Sequence, residues 1–261
     1  PTTYTQAELS RMPRSCRRLI LCCLCLFPVA CANRSAAEDA LPKRILFIGN
    51  SYTGGTKAGI DFFVKQADRD IHVHFIHPGG RRLANHAENE QILQTIAAGD
   101  WDLVVLQEQS QLPSLPGMRD EFLRSGDSLA QAIRKTGSGC LLFETWGRRD
   151  GDKQNKQLNP DFTTMQKRLT EGYAALGQRT ETPVARVGQA WAIVHSETPE
   201  LFKKLYARDG SHPSPLGAYL TGAVFYAVIT GNDPGEVKAV PRGVSREDAK
   251  LLCEAVNKVV N

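Results

Sequence analysis

From Pro42 onward, five short apolar runs alternate with longer segments of helical period, and that alternation leaves few folds open. Residues 44–49, 71–76, 102–107, 140–145 and 183–187 read as strands. Between them, Ile60, Phe63, Val64 and Ala67 mark one helical face, Ile92, Leu93, Ile96 and Ala97 a second, and Phe122, Leu129 and Ile133 a third. Strands that are apolar throughout need cover on both faces, and an intervening helix lets successive strands run parallel. The expectation is an α/β fold with a mostly parallel sheet. In such a sheet ligands sit beyond the carboxyl ends of the strands, where strand order reverses. The loops to search are therefore 50–56, 108–119 and 146–159.

Upstream, Arg14, Arg17 and Arg18 precede the apolar run from Leu19 to Phe27, followed by the small residues Ala30, Cys31 and Ala32. This is the layout of a secretory signal peptide, with Met12 standing just before the basic stretch and cleavage after Ala32 or Ala37 both fitting. The run is too short to span a bilayer. Lipoprotein anchoring at Cys31 is the weaker alternative, because Pro28 stands where a lipobox has Leu. The expected organisation is residues 1–37 as leader and 38–261 as one domain, exported to the periplasm or outside the cell.

The chain of 261 residues carries a formal charge of +4. Removing residues 1–37 takes away Arg11, Arg14, Arg17, Arg18 and Arg34 against Glu8 alone, so the mature protein is formally neutral. Nothing then favours a nucleic-acid partner. Cys16, Cys22, Cys23, Cys25 and Cys31 leave with the leader or lie at its end, so this is no disulfide scaffold. Cys140 opens a strand and Cys253 lies in a helical pattern, which favours two buried thiols over a bridge.

Two segments carry chemistry. Gly49-Asn50-Ser51-Tyr52-Thr53 follows the first strand, so Ser51 occupies a strand-to-helix turn, the place for a nucleophile and equally for a helix N-cap. Gly49 and Gly54 have phosphate-loop spacing, but Gly55 and Thr56 stand where Lys and Ser/Thr are required, which excludes that motif. Near the other end lies Asp209-Gly210-Ser211-His212-Pro213-Ser214-Pro215. Pro213 keeps His212 out of helical geometry, while Ser214 and Pro215 form an N-cap and N1 pair. Asp209 can curl back onto the imidazole, fixing its tautomer and stabilising its charged form.

Together these segments resemble the SGNH/GDSL hydrolases. The resemblance implies a three-layer α/β/α sandwich with a five-stranded parallel sheet in order 2-1-3-4-5, and a Ser51, His212, Asp209 triad. It also implies an oxyanion hole made by the Ser51 N–H, a glycine N–H after strand two and an amide after strand three. Gly80 is the expected glycine, with Gly79 legal by spacing. The third block, normally Gly-x-Asn-Asp, here reads Gln107-Glu108-Gln109-Ser110, making Gln109 the counterpart of Asn and Gln107 the other amide nearby. Apart from the resemblance, Trp146, closing strand four, is the candidate substrate-contacting wall of the cleft and equally a candidate core residue.

His72 and His74 have strand-face spacing for a metal pair, but no Cys or carboxylate joins them in their segment, and no metal or organic cofactor is expected. The function implied is hydrolysis of short acyl esters, acetyl on carbohydrate being preferred because the cleft loops carry Trp, Arg, Asp, Asn and Gln. The alternative is a non-catalytic glycan-binding protein on the same fold.

Overall fold

The computed structural model describes residues 41–260. Strands β1 (Arg44–Ile48), β2 (His72–Ile76), β3 (Leu103–Leu106), β4 (Gly139–Phe143) and β5 (Val184–Ala185) form one parallel sheet in the order β2-β1-β3-β4-β5. Because side chains alternate along a strand, β1 sends Ile45 and Phe47 to one face and Leu46 and Ile48 to the other.

Helices cover both faces. On the first lie α1 (Ser51–Val64), α6 (Val187–Glu197), α8 (Pro215–Thr230) and α9 (Arg246–Val260), with Ile60, Phe63, Trp191, Phe225 and Leu252 in the core. On the second lie α2 (Leu83–Ala87), α3 (Glu90–Ala97), α4 (Arg119–Lys135) and α5 (Phe162–Thr180), contributing Leu83, Ile92, Ile96, Phe122, Leu129, Ile133, Tyr173 and Leu176. A short helix, α7 (Pro199–Lys204), follows α6. No helix among the described residues is long and apolar enough to cross a membrane.

Three features of this frame position the site. Strand order reverses between β1 and β3, so the crevice opens at their carboxyl ends. Ile48 pairs with Ile76 on one side and Leu106 on the other, which brings Gly49, His77 and Gln107 level with one another. Finally, α1 and α8 cross with their backbones in contact. A Cβ on Gly59 would collide with the Ala218 carbonyl, and one on Gly222 would collide with the carbonyl of Gly59. Only glycine allows that approach.

The leader lies outside the described residues. The loop expected over 50–56 is replaced by helix from Ser51 onward, because Asn50 rather than Ser51 is the N-cap: its side chain accepts from the Tyr52 N–H at 3.1 Å. Cys140 is half-buried and Cys253 buried, and both are free thiols.

Candidate active site

Ser51 opens α1, where the first N–H groups of a helix lack partners within the helix. Its Oγ lies 2.9 Å from His212 Nε2, and His212 Nδ1 lies 2.6 Å from Asp209 Oδ2. The other carboxylate oxygen of Asp209 accepts the backbone N–H groups of Ser211 at 2.9 Å and His212 at 3.0 Å. Burial alone would raise the Asp209 carboxyl, but these bonds, led by that from His212, outweigh it and hold the group below the ordinary carboxylate range. The three side chains drawn from opposite ends of the sequence thus form one continuous chain of hydrogen bonds.

The segment bearing Asp209 and His212 is a tight loop. Gly210 has φ +66°, a left-handed conformation that suits glycine, and its N–H donates to the Ala207 carbonyl at 3.0 Å. The His212 carbonyl accepts from Ala207 at 2.8 Å, and Tyr206 and Pro213 form an antiparallel bridge. Ser214 caps α8 by accepting from Leu216 and Gly217.

Trp146 is not a wall of the cleft. It is completely buried, stacked between Tyr52 (4.8 Å between centroids, 7° between planes) and Trp191 (4.3 Å, 5°). Its Nε1–H donates to the Ser211 carbonyl at 3.0 Å, satisfying the polar handle that a buried Trp carries. Trp146 therefore supports the His212 loop from beneath. It lies three residues past the end of β4, which stops at Phe143 rather than at the expected residue 145, and the two rings that enclose it come from segments distant in sequence.

Tyr52 completes the support. Its hydroxyl is 2.7 Å from Ser211 Oγ, and its ring meets the His212 imidazole edge-on at 5.3 Å. The residue after the serine thus holds the residue before the histidine, a link invisible to motif spacing.

On the other side of Ser51, Gly80 is exposed with φ +69°, and neither it nor Gly79 would bring a Cβ within 4 Å of another group. No bond engages the Ser51 or Gly80 N–H among the described residues. Asn50 reaches across to this loop, its Nδ2–H donating to the Arg81 carbonyl at 2.9 Å.

Gln109 is half-buried and turned toward Gln111: its Oε1 accepts the Gln111 N–H at 2.8 Å, and its Nε2 donates to Gln111 Oε1 at 3.2 Å. An amide nitrogen carries two hydrogens, so one donor remains. Gln111 in turn donates to Asp152 and Gln154, and Asp152 accepts from Arg148, which knits the loops after β3 and β4 together. Gln107 is fully buried and faces away from this role. Its Oε1 accepts from the Asn50 N–H at 2.9 Å and Thr53 Oγ1 at 2.8 Å, while its Nε2 donates to the Glu108 carbonyl.

His72 is exposed, 3.4 Å from Asp70, and His74 stacks on Trp101. Among the described residues no cluster of His, Cys, Asp and Glu could hold a metal.

No family profile and no curated protein matches the chain. Solved structures do. A DUF4886 family protein from Bacteroides uniformis superposes with TM-score 0.74 at 16% identity, over 83% of this chain and 94% of that one. A protein from Slackia heliotrinireducens assigned to the SGNH hydrolases is 30% identical over 70% of this chain and 96% of its own, with TM-score 0.57. An acetyl-xylooligosaccharide esterase from Geobacillus gives TM-score 0.53 at 17% identity, over 76% of this chain and 97% of that chain.

Proposed function

Because the chain belongs to the SGNH/GDSL hydrolase family, we propose that it hydrolyses carboxylic esters through Ser51, His212 and Asp209. The observation that carries this is the unbroken path from Ser51 Oγ through His212 to Asp209, at 2.9 and 2.6 Å.

In this reading Ser51 Oγ attacks the acyl carbon while its proton passes to His212 Nε2. The carbonyl electron pair moves onto oxygen, and the charge forms beside the Ser51 N–H, the Gly80 N–H and the free hydrogen of the Gln109 amide. The positive end of α1 favours the same charge. Collapse breaks the ester C–O bond, and the departing alcohol takes the proton from His212. Water then attacks the acyl-serine with His212 again as base, releasing the acid and restoring Ser51. Asp209 keeps Nδ1 protonated so that Nε2 faces the serine, and it stabilises the imidazolium.

The substrate class is a short acyl group, acetyl above all, on a carbohydrate. Its support is the polar composition of the loops after β3 and β4, together with two neighbours described as acetyl xylan or acetyl-xylooligosaccharide esterases. Export is part of the same proposal and rests on the basic and apolar residues from Arg14 to Phe27.

A fluorophosphonate probe tests the chemistry directly. Wild type should gain one adduct, located on Ser51 by peptide mass mapping, and lose ester turnover in proportion. An intact mass without adduct, from folded protein, would refute the assignment and leave a glycan binder on the same fold.

A further inference from the structure

We propose that Glu108 is a positioning residue whose carboxylate holds the Gly80 loop against the Gln109 loop and thereby sets the geometry of the oxyanion pocket. The proposal rests on the ester-hydrolase reading of Ser51.

Glu108 leaves β3 beside the crevice yet is only 1% exposed. A carboxyl group two residues past an apolar strand is costly to bury unless it is bonded. Its Oε1 accepts two backbone N–H groups: Leu83 at 3.1 Å and Gln109 at 2.5 Å. Leu83 begins α2, three residues beyond Gly80, so one oxygen atom joins both loops that would supply oxyanion donors. The Glu108 N–H donates to the hydroxyl of Tyr173, which is wholly buried on α5, at 3.2 Å. On the same side of Gly80, two residues nearer to it than Leu83, Asn50 binds the Arg81 carbonyl. The exposed Gly79 and Gly80 make no steric contact of their own; their turn is closed by the Arg81 N–H on the Pro78 carbonyl at 3.4 Å, and the chain leaving it is tied down by the Asn50 and Glu108 side chains at Arg81 and Leu83.

Several charged or titratable groups face Glu108. Arg82 from the β2 loop and Glu121 from α4 pair with each other at 2.8 Å, and the Tyr173 phenol approaches from α5. Burial pushes the Glu108 carboxyl up to about 7, opposed by the Gln109 and Leu83 N–H groups, with Glu121 adding to the rise and Arg82 reducing it. What the two N–H groups need is an acceptor oxygen at this reach. Glutamine offers the same reach without the charge, whereas aspartate keeps the charge and falls one methylene short.

Steady-state hydrolysis of p-nitrophenyl acetate by the full chain separates these requirements, with Glu108→Gln, Glu108→Asp and Ser51→Ala compared to wild type and each checked by thermal melting. Glu108→Asp should lose about tenfold or more in kcat with KM within roughly threefold, while Glu108→Gln retains kcat within roughly threefold. The proposal is overturned if folded Glu108→Asp turns over like wild type. It is equally overturned if folded Glu108→Gln loses tenfold or more. The Gln arm therefore decides the matter even where the Asp variant does not fold. Turnover surviving in Ser51→Ala would instead remove the ester-hydrolase reading itself, whatever Glu108 does.

Discussion

Ser51 and His212 sit at the heads of helices whose backbones touch at Gly59 and Gly222, whereas Gly80 and Gln109 sit on loops held by a few side-chain hydrogen bonds. The first pair is also braced by the stack of Tyr52, Trp146 and Trp191. Proton transfer from serine to histidine tolerates little error in distance, and that half of the crevice is fixed by close packing. Stabilising an oxyanion needs donors near 3 Å from a charge that exists only in the transition state, and that half relies on hydrogen bonds that can adjust. The difference teaches that one site can be dense where a proton moves and open where a charge appears.

The sharpest way to break the comparison is on its dense side. Ser51→Ala should fold normally and lose a factor of about 10³ or more in p-nitrophenyl acetate turnover, as should His212→Ala, with the double variant no worse than either. Next comes Gly59→Ala, which would drive a methyl into the Ala218 carbonyl. A cost of several kcal/mol corresponds to a Tm fall on the order of 10 °C, measured by calorimetry; an unchanged Tm would mean that the crossing is not tight.

On the open side, Gln109→Ala should lower kcat by ~10²–10³ with KM nearly constant, through loss of its free amide hydrogen as an oxyanion donor. A loss of thermal stability with kcat unchanged would instead assign Gln109 to bracing Gln111. Smaller still is Tyr52→Phe, which removes one bond to Ser211 and should cost roughly 0.5–1.5 kcal/mol of stability and a few-fold in kcat.

Stability should also report the buried carboxylate between the two open loops. Burial lifts the Glu108 carboxyl from its ordinary 4.5 to about 7, so folding favours the protonated form. Its contribution is complete at low pH and is lost as pH rises through about 7. The Tm of Glu108→Gln relative to wild type should therefore improve between pH 5 and pH 8; a constant difference would show that Glu108 does not change charge there.

What sequence could show divides along the same line. The strands, their parallel arrangement and the positions of Ser51, Asp209 and His212 were legible because apolar period, a strand-to-helix turn and a proline-locked loop are local signals. Gln109 and Gly80 were legible as positions but not as geometry, since what occupies the Gln109 amide is Gln111 and what frees Gly80 is the lack of any neighbour. Glu108, Tyr52 and Asn50 were missed as structural ties because their partners lie in other segments. For Trp146 the sequence leaves wall and core equally open, and only Tyr52 and Trp191, arriving from elsewhere, decide for the core.

The contact at Gly59 has a mechanical consequence. Ser51 lies eight residues before Gly59 on α1, a lever arm of about 12 Å at 1.5 Å per residue. A change of ~5° in the angle between α1 and α8, pivoting on that contact, would swing the serine oxygen by roughly 1 Å, a displacement that can cost about a hundredfold in rate. Catalysis then acts as an amplified gauge of one helix crossing. Modest strain there, from heat, pressure or a bulkier neighbour, should dim turnover well before any unfolding transition is visible.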